Sequence, residues 1–215
     1  GLELLAVLSD LHAGRAGAAG RRWPVIHRDI SPANVMLTER GVVKLVDFGL
    51  ARALGRARTL PPGTAAGKPG YLPPEVLTGG LHGMRADVYS SGAVLWEALA
   101  GRGLFRGIDD ERELARAMLR APRPALRTVR ADVPEAVASV IDGALVLDPA
   151  ARFGNADVMA EALRAAAEAH GLLGSRSEAS DRVRALQAAR KRGASMGRGR
   201  RHRPVGLDRG ACAHE

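Results

Sequence analysis

The apolar positions of this chain change period along its length, and the changes mark its elements. Leu2, Leu4, Leu5, Leu8 and Leu11 recur at near-helical spacing, and the small-residue run from Gly14 to Gly20 ends that helix in a loop. Val25-Ile26 and Val35-Met36-Leu37 are short apolar runs. Glu39-Arg40-Gly41 separates the second from Val42-Val43-Lys44-Leu45-Val46, a pattern that predicts a small hairpin. From Leu54 to Pro74 the chain is rich in Gly, Pro, Thr and Arg without a sustained period, too long for an ordinary connection and therefore read as a functional loop. Asp87–Leu99 is apolar nearly all round, as a helix at the centre of a domain is. Asp109–Arg120 reads as an amphipathic, more exposed helix. Pro134–Leu147 and Ala156–His170 predict two more, the first opening with a proline and stopping before Asp148-Pro149. The expected order is helix, small hairpin, long loop and four helices, an α+β chain that is predominantly helical.

After Gly171 the pattern dissolves into Gly, Ser, Ala and Arg. Only Asp181–Arg192 has the composition of a transient helix, so residues 171–215 are expected to be a disordered tail. Charge sharpens that boundary. The net charge of +9 comes mostly from the tail, since residues 1–170 carry 21 basic and 19 acidic side chains and residues 171–215 carry 11 and 4. A chain of 215 residues with 46% hydrophobic residues has material for one core. One cysteine, Cys212, excludes an intramolecular disulfide, and no stretch reaches the roughly 18 consecutive apolar residues of a membrane helix. A cytoplasmic location is the expectation. No membrane segment is expected in this chain. Arg198–Arg203 is basic, but no aromatic residue follows Phe153 to stack on bases, so no specific nucleic-acid partner is expected. His202 and Cys212 lack metal-ligand spacing.

Three motifs then stand in one order: His27-Arg28-Asp29-Ile30-Ser31-Pro32-Ala33-Asn34, Asp47-Phe48-Gly49 beyond the hairpin, and Pro73-Pro74-Glu75 after the long loop. In these residues the chain resembles the protein kinase family of the bacterial serine/threonine type. They match the H-R-D-x-x-x-x-N, D-F-G and A-P-E motifs, the last with Pro73 in place of Ala. Asp87-Val-Tyr-Ser-Ser-Gly92 is similar to the start of the family's buried central helix.

The resemblance implies transfer of the ATP γ-phosphate to a protein Ser/Thr hydroxyl, with ATP and Mg²⁺ as cofactors and a protein as substrate. Asp29 is then the base that accepts the hydroxyl proton, and Asn34 and Asp47 hold Mg²⁺ through oxygen atoms. Met36 would form the floor under adenine. His27 and Phe48 would stack beside Gly49 and tie the metal loop to the catalytic loop, while Asp87 holds the catalytic-loop backbone from below. Glu75 would pair with Arg152. Arg28 implies regulation by a phosphate on Thr59 or Thr64, with Arg52, Arg56 and Arg58 as further partners.

The sequence also departs from the family. Ser31 stands where such kinases usually carry the lysine that touches the γ-phosphate, and Lys68 stands in the loop where they usually carry threonine. The expectation is that Lys68 restores at Asp29 the charge lost at Ser31. No Gly-rich phosphate loop, strand lysine or helix glutamate of the small lobe occurs. The resemblance therefore implies that residues 1–170 are the large C-terminal lobe alone, with the small N-terminal lobe missing, and that the chain by itself is inactive. An alternative is a catalytically inactive kinase-like remnant that acts as a protein-interaction module. A small-molecule phosphotransferase fits less well, because the long loop ending in Pro-Pro-Glu is a platform for protein substrates.

Overall fold

The helix that is apolar on every side is the pivot of the structure. A computed structural model describes residues 1–15, 23–47, 52–53 and 70–198. Among these, the order is α1 (Leu2–His12), β1 (Val25–Ile26), β2 (Val35–Leu37), β3 (Val43–Leu45), β4 (Arg52–Ala53), α2 (Pro74–Leu77) and α3 (Met84–Ala100). Then come α4 (Glu111–Arg120), α5 (Leu126–Val129), α6 (Glu135–Ala144), a 3₁₀ turn (Pro149–Ala151), α7 (Ala156–Ala169) and α8 (Arg176–Arg198). The domain is mostly helical, as the periodicity predicts.

Every α3 residue from Ala86 to Trp96 is buried, and α1, α5, α6 and α7 pack around the helix. Its polar side chains are satisfied locally. Ser90 Oγ donates to the carbonyls of Ala86 and Tyr71, Ser91 Oγ donates to the Asp87 carbonyl, and Trp96 Nε1 donates to the Pro124 carbonyl at 3.0 Å. Gly92 permits the closest approach in this layer, since a Cβ there would stand 2.8 Å from the Ala144 Cβ of α6.

The predicted hairpin is β2–β3, antiparallel with Val35 opposite Leu45 and Leu37 opposite Val43. A second antiparallel pair, β1–β4, sets Val25 opposite Ala53. That ladder was not foreseen, because β4 is two residues inside a stretch with no alternation.

The tail corrects the expectation of disorder from residue 171, since Arg176–Arg198 is one helix of 23 residues. Its start carries a reciprocal cap: the Ser175 amide donates to Glu178 Oε2 at 2.7 Å, and the Glu178 amide donates to Ser175 Oγ at 3.2 Å. Ala, Arg, Gln and Glu then supply strong helix propensity. Residues 199–215 lie outside the described residues. No helix among the described residues is long and apolar enough to cross a membrane.

In a free helix Gly→Ala gains about 1 kcal/mol. At Gly92 the added methyl meets a facing helix, so Gly92→Ala is expected to destabilise by about 1–3 kcal/mol in denaturant unfolding.

Candidate active site

The centre is built from a strained backbone turn and one buried carboxylate beneath it. Arg28 adopts φ 73°, a left-handed conformation that a long side chain disfavours by about 1–3 kcal/mol. Asp87, fully buried in the first turn of α3, holds that turn. Its Oδ2 accepts the His27 amide at 2.7 Å and its Oδ1 accepts the Arg28 amide at 2.9 Å. His12, at the end of α1, adds Nε2 to Oδ2 at 3.1 Å. Its Nδ1 accepts the Ala156 amide at 3.3 Å, which fixes the tautomer with the proton on Nε2. His82 Nε2 lies 3.7 Å from Oδ1. Burial disfavours the charge on Asp87, but the bond from His12 and the approach of His82 outweigh it and hold the carboxyl well below its ordinary range.

Directly above this support, the Asn34 side-chain amide donates to the Asp29 carbonyl at 2.7 Å and to Asp29 Oδ2 at 2.8 Å. Both N–H bonds of the amide are thus spent on Asp29, and its Oδ1 is the atom left to coordinate a cation. The hairpin brings Asp47 to the same place: the Val46 amide donates to the Asn34 carbonyl at 2.9 Å, one residue before Asp47. Asp47 is exposed and also left-handed, with φ 66°. His27 links the two segments, since its Nδ1 accepts the Asp29 amide at 3.3 Å and its ring interacts with the Val46 backbone. Burial lowers the pKa of His27 below its ordinary value despite the nearby carboxylates, Asp87 foremost. One carboxylate and one amide oxygen form a hard donor set of the kind that binds Mg²⁺ together with substrate phosphates, so these residues fit the ion.

Other predicted residues fall into four groups. Glu75 and Arg152 form a bidentate pair, Nη1 to Oε1 at 2.7 Å and Nη2 to Oε2 at 2.8 Å. The remaining guanidinium N–H bonds go to the carbonyls of Val146, Leu147 and Arg85, and Tyr89 lies 4.8 Å beneath the charge. Met36 is 52% exposed and joins Trp23, Leu37 and Val46 among the exposed large hydrophobic residues. Ser31 is fully buried, and its hydroxyl has no hydrogen-bond partner among the described residues. The structure does not bring it to the surface that Asp29 and Asp47 share. Phe48, Gly49, Thr59, Thr64 and Lys68 lie outside the described residues.

Sequence reasoning missed His12 and His82, whose partner is 75 residues away in the case of His12. A histidine on the inner face of a leucine-rich helix was the available signal for His12. It also missed Tyr71, whose hydroxyl donates to Glu97 beside a cleft of about 330 Å³ lined by Phe105, Ile108 and Leu114. Burial, with the Glu97 carboxylate, raises the Tyr71 pKa.

The protein kinase domain family matches residues 3–164. This chain belongs to the protein kinase family. Serine/threonine-protein kinase PknL of Mycobacterium tuberculosis is 36% identical over 165 residues, 77% of this chain and 41% of PknL. Serine/threonine-protein kinase PrkC of Bacillus subtilis is 34% identical over 148 residues, 69% of this chain and 23% of PrkC. Tyrosine-protein kinase MasK of Myxococcus xanthus is 37% identical over 147 residues, 67% of this chain and 22% of MasK. The chain spans less than half the length of these curated relatives.

The two depressed pKa values set an acid-side stability profile. Unfolded His27 takes up a proton below about pH 6.5, whereas the folded site resists it, so stability falls as pH drops through that value. Asp87 adds a second loss below about pH 4, where the unfolded carboxylate protonates first. Thermal melts are expected to show a Tm that declines from pH 6.5 to 5 and again below 4. His27→Phe is expected to lack the first limb; an unchanged limb in that variant contradicts the assignment.

Proposed function

We propose that this chain carries the phosphoryl-transfer centre of a bacterial serine/threonine protein kinase. The observation that supports this most is the double donation from Asn34 to Asp29 with Asp47 folded in beside them. Asp29, held by Asn34 with one carboxylate oxygen spared, accepts the proton of a protein hydroxyl as that oxygen bonds to the γ-phosphorus and the bond to ADP breaks. Asn34 Oδ1 and the Asp47 carboxylate are the residues that would hold Mg²⁺, which supplies charge neutralisation for the phosphates when bound. Arg28, set by its strained turn, is the residue whose charge a phosphate on Thr59 or Thr64 would neutralise, and Lys68 is assigned the charge that Ser31 lacks. Serine/threonine preference follows the names of PknL and PrkC.

In this reading residues 1–170 form the large lobe of the kinase. The exposed apolar side chains of the hairpin, Met36, Leu37 and Val46, are where the small lobe completes the ATP site, with Met36 under adenine.

Two measurements test this. Calorimetry of ATP with Mg²⁺ on the chain joined to a kinase small lobe is expected to weaken at least tenfold in Asp47→Ala, about 1.4 kcal/mol. Asp29→Asn in the same protein is expected to keep ATP binding and to lower turnover on Ser/Thr peptides about 10²–10⁴-fold. Equal turnover with Asp29→Asn contradicts the role of the base, and ATP binding that ignores Mg²⁺ contradicts the metal assignment.

A further inference from the structure

The β2–β3 hairpin has to keep Asn34 and Asp47 in register, yet it is only two strands of three residues each. A two-stranded ribbon of this size is marginal on its own. Leu45 anchors its base in the core, and α1 packs along β3. Its turn, Glu39-Arg40-Gly41, lies at the other end and meets α8 instead.

That contact is close and specific. Ser180 Oγ donates to the Glu39 carbonyl at 2.5 Å. Gly41, with φ 72°, is buried against the helix: a Cβ there would stand 2.5 Å from the Arg176 carbonyl and 3.0 Å from the Ser180 nitrogen. Any other residue at position 41 would therefore displace α8 as well as strain the turn. Glu3 closes the circuit, with Oε2 accepting the Val43 amide at 2.9 Å and Oε1 accepting Arg176 Nε at 2.8 Å. These two donors, the Val43 amide first, hold the Glu3 pKa below its ordinary value. The α8 residues turned inward, Ala179, Ser180, Val183 and Gln187, follow helical spacing, while Arg182, Arg184 and Leu186 face solvent. This helix lies beyond the residues that match the kinase family, which end at 164.

We propose that α8 is a brace that docks on the β2–β3 turn and, with Glu3, positions the hairpin that carries Asn34 and Asp47 side by side at its open end. Arg176, Ser180 and Glu3 are positioning residues in this account. The effect on metal binding rests on the proposed role of Asn34 and Asp47; the effect on the hairpin does not. The brace also gives the segment after residue 164 a physical route to the site, since anything that pulls α8 away loosens the ribbon.

The experiment is hydrogen exchange on the full chain and on Val183→Asp, which places a charge on the buried face of α8 and leaves the residues of the hairpin and of the core helices unchanged. The Thr38–Val43 amides are expected to exchange at least about tenfold faster in the variant, with Val88–Trp96 unchanged. Ser180→Ala, a milder change, is expected to move the same amides in the same direction. Unchanged hairpin exchange in both variants, or α8 amides that exchange at the unfolded rate in the unaltered chain, overturns the brace. Mn²⁺ titration followed by electron paramagnetic resonance then reads positioning. Binding is expected to weaken about threefold or more in Val183→Asp and to be lost in Asp47→Ala. Loss in Asp47→Ala with no change in Val183→Asp overturns the positioning role. Binding that survives Asp47→Ala overturns the metal reading, and the brace is then judged on exchange alone.

Discussion

A single carboxylate, Asp87, sets the geometry on which the candidate site depends. It receives two successive backbone amides from His27 and Arg28 and a ring N–H from His12, and it does so with no exposure to solvent. A buried charge of this kind is tolerable only when its lone pairs are filled, and here the filling groups come from two distant parts of the chain. The carboxylate therefore staples α1, the catalytic loop and α3 together. The left-handed turn at Arg28 persists because these bonds over-determine it. Asp29 follows that turn directly, so the direction of its side chain is fixed by a residue 58 positions later in the chain.

A second polar anchor works beside the same N-terminal part of α3. Arg152 spends every guanidinium N–H on Glu75 or on backbone carbonyls and rests on Tyr89. Removing Glu75 alone would strand a buried cation, a loss of about 3–5 kcal/mol. The pair fixes α2, where the long loop returns, against the 3₁₀ turn before α7. The loop is thus tied at both of its described ends, at Asp47 through the hairpin and at Glu75 through Arg152, and the helical layer between them is the rigid frame.

Much of this frame was legible in the sequence because helical period reports burial directly. The nearly all-round apolar character of 87–99 marked α3, and the turn residues Glu39-Arg40-Gly41 marked the hairpin. The convergence of Asp29, Asn34 and Asp47 was legible through spacing, since Asp29 and Asn34 share one loop and the hairpin returns Asp47. His12 was not legible, because its meaning lies in a contact with Asp87 that only the packed fold creates. The β1–β4 ladder was missed because two residues carry no period. Helix α8 was missed for a different reason: a polar composition was read as disorder, while the Ser175-x-x-Glu178 cap and the alternation of Ala with Arg encoded a helix whose small inner residues fit the Gly41 turn. Ser31 shows the opposite limit, since a substitution that looks catalytic in the motif is sealed inside the loop.

The central claim is that the buried Asp87 carboxylate holds the catalytic-loop backbone. The most direct test is residue-resolved hydrogen exchange in Asp87→Asn, which keeps the shape but turns one acceptor oxygen into an N–H donor. The account predicts that the His27 and Arg28 amides lose protection by about tenfold or more, the scale of one charged hydrogen bond, while Ala93–Trp96 of α3 stays protected. Equal protection of the two loop amides in Asp87→Asn and in the unaltered chain would contradict it.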